Sequence, residues 1–374
     1  MAHGTSLLGS VAVAAGQDAG RSFHGPGIAF RARTKSSPLS PIGANGVALH
    51  KYDFYFGESG GCECQAPVRP GRTVLGGWPS RGTVYERAPI TIGYTRCRPK
   101  TEEVGQDVRS GAHTLTFPTR GVFRMHIGGP AGRILTCDPN SVVFQNFGDV
   151  FRTSHPGAIG DETVFVTYSD EVVLEAVRGH DPAAAQRREM PFPFTVAPSD
   201  PGAFLLMRSM FNEACRGQDA DRELVEESAI NVLRISVARA FEQVGSLAGP
   251  RRTTIRAHAE IAENAKAFMA MRCSERLSIE DVAKHVHVSP FHLCRLFRKH
   301  AGLPIHRYLN RLRLRIALDR LHERSSDLAA MAIDLGFASH SHFCDAFRRE
   351  YGVPPSAMRT RVADLRLIAG TRPG

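Results

Sequence analysis

Residues 289–304, SPFHLCRLFRKHAGLP, return fifty positions later as residues 339–354, SHSHFCDAFRREYGVP. Seven of the sixteen pairs are identical without a gap: Ser289/Ser339, His292/His342, Cys294/Cys344, Phe297/Phe347, Arg298/Arg348, Gly302/Gly352 and Pro304/Pro354. Leu293/Phe343 and Lys299/Arg349 match in chemistry. A repeat of this kind means that one supersecondary unit occurs twice.

Each copy reads as a helix, a short turn and a second helix. In the first, Ser278 and Asp281 have capping-pair spacing, and Ile279, Val282, Ala283 and Val286 supply an apolar stripe. His287 and Val288 make the turn. Ser289 then caps a helix with Pro290 at its first position, where a missing N–H costs nothing, and Gly302 stops it. In the second copy Leu328, Met331, Ala332 and Leu335 are the stripe, Gly336 and Phe337 the turn, Ser339 the cap and Gly352 the stop.

The second helix of each pair divides by face. Leu293, Leu296 and Phe297 point one way as core, while Phe291, Cys294, Arg295 and Arg298 recur at i, i+3, i+4 and i+7 on another. The matching positions downstream are Ser341, Cys344, Asp345 and Arg348, with His340 one step earlier. A helix lying in a DNA major groove needs such a face: short or hydrogen-bonding side chains against base edges, and Arg for guanine. Any one of these residues alone reads as ordinary surface, and it is the repetition that singles out the set.

Between the copies, 305–323 reads as one helix burying Tyr308, Leu309, Leu312, Ile316, Ala317 and Leu321. Its span of roughly 27 Å suits a spacer holding two reading helices about one DNA turn apart. Arg307, Arg311, Arg313, Arg315 and Arg320 on it are expected to face phosphates. Charge agrees with a polyanion partner. From residue 251 onward there are 22 Lys and Arg against 12 Asp and Glu, which is the whole net charge of +10.

The chain upstream is different. Residues 1–48 are rich in Gly, Ala and Ser and read as a flexible tail. From about Tyr52 to Ser169, short β-branched and aromatic runs alternate with Gly and Pro: Ile90 to Tyr94, His113 to Phe117, Val122 to Ile127, Ser141 to Phe147 and Thr163 to Tyr168. That spacing predicts a β-sandwich or barrel. Residues 201–245 show helical periodicity, with Phe204, Met207, Met210 and Phe211, then Leu224, Ile230, Leu233, Val237 and Phe241. These helices either dimerise or cover the β region. Residues 245–254 read as a linker.

The stretches SPFHLCRLFRKHAGLPIHRYL, RLRLRIALDRL and IDLGFASHSHFCDAFRREYGVPPSAMR closely resemble the AraC/XylS family of bacterial transcription regulators over roughly residues 255–360. The resemblance implies base-reading positions at Phe291, Cys294 and Arg295 in the first unit and His340, Ser341, Cys344 and Asp345 in the second. The family often has Arg where this chain has Asp345, and an acid can accept from a cytosine amino group but cannot pair with guanine acceptors. HTLTFPTRGVFRMHIGG and DPNSVVFQNFGDVFRTSHP resemble the family's cupin-like sensor domain.

The expected architecture is therefore α+β multidomain: an N-terminal cupin-like β-barrel with flanking helices, then an all-α domain with two helix-turn-helix units joined by a linker helix. The expected domains are a tail at 1–48, the sensor at 49–200, a helical dimerisation or linker region at 201–245, the DNA-binding domain at 255–360 and a tail at 361–374. The resemblance implies promoter DNA and RNA polymerase as partners, a small effector or partner protein at the sensor, a homodimer, and no cofactor. Eight scattered cysteines read as reduced thiols in a cytosol, and no apolar run approaches the roughly 20 residues of a membrane span. A cytoplasmic protein without a membrane segment is expected.

Two other classes compete. A cupin metalloenzyme would need clustered histidines, but His50, His113, His126, His155 and His180 contain no HxH pair. Cys62 and Cys64, with Cys97, are a weak candidate for a redox or metal-sensing cluster. A non-specific architectural DNA-binding protein would use the same basic helices.

Overall fold

The computed structural model describes residues 81–129, 132–246, 252–321 and 327–359, with side chains described except at 244–246 and 252–255. The tails at 1–48 and 361–374, Cys62, Cys64, His50 and the middle of the linker lie outside these residues. The described residues belong to one compact unit. They form a sheet-rich N-terminal part and a helical C-terminal part.

The strands are β1 (Arg81–Arg87), β2 (Ile90–Cys97), β3 (Val108–Arg109), β4 (His113–Gly121), β5 (Phe123–Ile127), β6 (Arg133–Cys137), β7 (Ser141–Gln145), β8 (Val150–Ser154), β9 (Asp161–Tyr168) and β10 (Val196–Pro198). All five expected strands are present. They pair as two antiparallel sheets, ordered β1-β2-β9-β4-β7-β10 and β3-β8-β5-β6. The expected barrel is therefore not closed: the strand pairs join within two sheets, and a small core of Val108, Phe123, Met125, Cys137, Phe151 and Val143 draws on both.

The outer face of the larger sheet is covered by helices. These are α1 (Asp170–Arg178), α2 (Pro201–Ala214) and α3 (Arg222–Ser246). Phe204, Met207 and Met210 of α2 and Val225, Ala229, Leu233 and Val237 of α3 are buried in the same core as Ile92, Leu115 and Val166 of the sheet. The apolar periodicity read at 201–245 thus covers the β region, although Leu224 is exposed.

The C-terminal part comprises α4 (Arg252–Met271), α5 (Ile279–His285), α6 (Pro290–Ala301), α7 (Ile305–Arg320), α8 (Leu328–Asp334) and α9 (His340–Tyr351). Two cores serve it. α4, α5, α6 and the start of α7 enclose one. The other, with Leu314, Ala317 and Leu318 of α7, Met331, Phe337, Phe343 and Phe347, runs on into the core of the larger sheet. The second helix pair is thereby packed against the sheet-rich half.

Polar contacts fasten the two halves. The Tyr308 hydroxyl of α7 donates to Asp138 Oδ2 at 2.6 Å, and Asn140 Nδ2 donates to the Tyr308 carbonyl at 3.0 Å, both from the β6–β7 turn. Thr136 Oγ1 donates to the Glu263 carbonyl of α4 at 2.9 Å. Arg208 of α2 pairs with Asp319 of α7. Such buried polar contacts define one arrangement because each unmade bond leaves a desolvated group.

Asp138 is fully buried, and burial pushes its carboxyl up to about 6, against the opposing pull of the Tyr308 hydrogen bond and the Lys266 charge. A folded value raised above the unfolded one means that the stabilising share of protonation is complete below the ordinary aspartate range and is lost as pH rises towards 6. Asp138→Asn, which cannot ionise, should therefore improve relative to the parent chain as pH rises from about 4 to 7. Urea unfolding midpoints of the two chains across that range check this, and a constant difference would contradict it.

Candidate nucleic-acid interface

The interface is built by two helix pairs whose ends are set by local chemistry. Ser278 caps α5 in a closed box: its Oγ accepts from Asp281 N at 3.1 Å, and Asp281 Oδ2 accepts from Ser278 N at 2.9 Å. The hydrogen bonds from the Ser278 side chain and backbone hold the Asp281 carboxyl below its usual range. Ser289 and Ser339 cap α6 and α9, accepting from His292 N at 3.3 Å and His342 N at 3.1 Å. Gly302 and Gly352 end those helices in the left-handed region. Asp327, which caps α8, did not stand out in the sequence.

The turns differ by one residue. Val288 N bonds to Ala283 O, and Phe337 N bonds to Ala332 O, so the same closing bond lies one residue before Ser289 but two before Ser339. Ala338 is the extra residue. The left-handed position is His287 (φ 56°) in the first turn and Gly336 (φ 79°) in the second.

α6 keeps Leu293, Leu296 and Phe297 inside, as expected, and turns Phe291, Cys294, Arg295 and Arg298 outwards. Phe291 is 80% exposed, the most solvent-facing of the exposed large apolar side chains among the described residues. On α9, Phe343 and Phe347 are buried while His340, Ser341, Asp345 and Arg348 are exposed and Cys344 is half-buried. Cys344 Sγ lies 3.4 Å from His340 Nε2. Burial, followed by the Asp345 charge, raises the Cys344 thiol, so it stays protonated and acts as a weak donor. Lys299, Arg349 and His342 share the exposed surface; the first two continue the basic pairs Arg298-Lys299 and Arg348-Arg349 and were legible as such.

The arginines of α7 depart from expectation. Arg313 and Arg315 are 5% and 0% exposed. Arg313 donates to the carbonyls of Cys273 and Glu275 at 2.7 Å each and lies over the Phe337 ring. Arg315 sits 3.9 Å from the Phe204 ring centroid and donates to the Ser199 carbonyl at 3.1 Å. Arg311 pairs with Glu350, and Arg320 lies 3.4 Å from Asp334. Of the five, Arg307 is the exposed one.

The histidines considered for a metal site are dispersed. His113 Nδ1 accepts from Phe147 N at 3.1 Å, His126 Nε2 contacts Ser154 Oγ at 2.8 Å, and His180 stacks on Phe241. The HxH pairs are split as well. His285 stacks on Phe268 while His287 forms the turn, and His342 meets the Phe337 ring edge-on, with His340 beside Cys344.

Two capped helix pairs on a common spacer, each with one polar face left open, define a class of nucleic-acid-binding helical module. A family model described as a helix-turn-helix domain matches residues 282–361. The transcriptional activator AarP of Providencia stuartii is 33% identical over 98 residues, which are 25% of this chain and 73% of AarP. Regulatory protein PocR of Salmonella typhimurium is 34% identical over 105 residues, covering 28% of this chain and 35% of PocR, so the match spans about a third of that relative. A solved AraC-type DNA-binding-domain regulator from Chromobacterium violaceum is 30% identical, with 28% of this chain and 93% of that chain covered and a TM-score of 0.26. The chain belongs to the AraC/XylS family of transcription regulators. Among the described residues, no helix is long and apolar enough to cross a membrane.

Gly336 tests the turn geometry. A Cβ there would meet Glu275 O at 2.9 Å and Ser274 O at 3.0 Å on a φ of +79°, whereas a Cβ on Gly302 meets nothing within 4 Å. Gly302→Ala should cost about 1 kcal/mol and Gly336→Ala about 1 to 3 kcal/mol more, because backbone must move as well. Denaturant unfolding measures both, and equal costs would contradict the close approach.

Proposed function

We propose that this chain is a sequence-specific DNA-binding regulator of transcription in which α6 and α9 act as the reading helices of two helix-turn-helix units. One observation carries the reading: an 80% exposed phenylalanine, Phe291, beside exposed Cys294, Arg295 and Arg298 on a helix whose other face is fully packed. A soluble helix gains nothing from an exposed Phe, but in a major groove the ring can cover a thymine methyl while Arg295 bonds guanine. Arg298, Arg348 and Arg307 suit phosphates, which position the protein without reading sequence.

In the second unit His340, Ser341, Cys344 and Asp345 face the groove. Asp345 can accept from cytosine N4 and repels phosphate, so it discriminates more than it attracts. The first unit is assigned most of the affinity. The sheet-rich half is assigned the role of a cupin-like sensor for a small effector or a partner protein, without any catalytic step. An open cleft of about 470 Å³ lies between Arg120 of β4 and Asp319, Arg320 and Asp334 of α7 and α8, where the sheet-rich half meets the second unit. Promoter DNA, RNA polymerase and a second copy of the chain are the assigned partners, in the cytoplasm.

The test uses sites selected from randomised DNA at one fixed salt concentration. Arg295→Ala should weaken binding by about 1 to 3 kcal/mol and relax preference at one base pair. Asp345→Ala should relax preference at a different, cytosine-bearing pair with a smaller loss. A uniform loss across all sequences for Arg295→Ala would make it a phosphate contact and overturn its assignment.

A further inference from the structure

Cys97 closes β2, Asp161 opens β9, and the two residues face each other in the strand register. His155 follows β8, only six residues before Asp161, so a short turn brings it back to the same point. All three side chains belong to buried residues, 8%, 8% and 6% exposed. Their sulfur, nitrogen and oxygen ligand atoms lie within 4.8 Å of one another, and His155 Nε2 is 2.7 Å from Asp161 Oδ1.

We propose that Cys97, His155 and Asp161 form a binding site for one zinc-class divalent cation in the sheet-rich half of the protein. The donor set decides the class of ion. A thiolate with an imidazole suits zinc or cobalt, whereas magnesium and calcium take oxygen. Charge supports it too. A divalent ion with one thiolate and one carboxylate is neutral overall, which makes it compatible with burial. The geometry requires little movement: tetrahedral bonds of about 2.0 to 2.3 Å place ligand atoms about 3.3 to 3.8 Å apart, so the His155–Asp161 pair opens slightly and Cys97 closes in. On binding, the imidazole ligates through Nε2 with its proton carried on Nδ1, the carboxylate of Asp161 ligates in place of accepting from that ring, and the Cys97 thiol releases its proton to solvent. Three protein ligands leave a fourth position for water.

The site also touches the helical half. The turn between the two later ligands, Pro156–Ala158, packs against the end of α4, where a Cβ on Gly157 would lie 3.2 Å from the Met271 sulfur. Occupancy of the site would thus bear on α4, which packs against α5 and α6. The binding proposal itself stands whether or not the chain binds DNA.

The full chain, stripped of metal with a chelator, is titrated with Co²⁺ and then challenged with Zn²⁺. The expected result is a thiolate-to-cobalt charge-transfer band saturating at one equivalent and displaced by zinc. Cys97→Ser should abolish the band, and Asp161→Asn should weaken cobalt affinity about tenfold or more. The double substitution Cys62→Ser, Cys64→Ser should leave it intact. Thiol alkylation of the parent chain, mapped by mass spectrometry, needs no variant: zinc should protect Cys97 and leave the exposed Cys294 labelled. A cooperatively unfolding parent chain without the band, a band that survives Cys97→Ser, a band lost in the Cys62, Cys64 double variant, or alkylation of Cys97 unchanged by zinc would each overturn the proposal.

Discussion

α7 holds the molecule together, and it does so by burying charge. Leu309 and Leu312 near its start enter the core of the first helix pair, and Leu314, Ala317 and Leu318 enter the core shared by the second pair and the larger sheet. Between these apolar sets lie Arg313 and Arg315, with Tyr308 one turn earlier, bonded respectively to the Cys273 and Glu275 carbonyls, the Ser199 carbonyl and the Asp138 carboxylate. A buried guanidinium is costly: Arg313 is received by two carbonyls, whereas Arg315 has only Nη2 on a carbonyl and lies over the Phe204 ring with Nε and Nη1 unbonded, so its burial fixes position more than it stabilises. The helix consequently has one seat. Because that seat is made from both helix pairs and from the sheet-rich half, the relative placement of α6 and α9 depends on it.

The consequence for function is an asymmetry between the units. The first pair packs with α4 in a core to which the sheet-rich half gives Val122, whereas the second shares the core that runs through α2, α3 and the larger sheet. The sheet-rich half thus meets the second unit through a shared apolar core and the first unit through α4.

Local chemistry made the helical half legible. Ser278, Ser289 and Ser339 cap as their spacing implied, Gly302 and Gly352 stop helices, and the inward and outward faces of α6 and α9 follow the heptad-like spacing of their residues. Arg313 and Arg315 do not face phosphates because their burial depends on carbonyls 38 to 116 residues away in sequence and on the Phe337 and Phe204 rings, which no local pattern encodes. The β half was legible only where strands are apolar. β1, RGTVYER, is a charged edge strand, and β3 and β10 are two and three residues long. Two sheets rather than a closed barrel is likewise a matter of long-range pairing. His155 and Asp161 could have been read together from their spacing, but their convergence with Cys97 needs the β2–β9 register.

Hydroxyl-radical footprinting of the full chain on genomic fragments tests most directly whether two unequal helices read one face of DNA. The predicted result is two protected major-groove segments about one helical turn apart, with the segment assigned to α6 surviving at salt concentrations that release the other. Protection that appears only at low salt and without preferred sequence would contradict it.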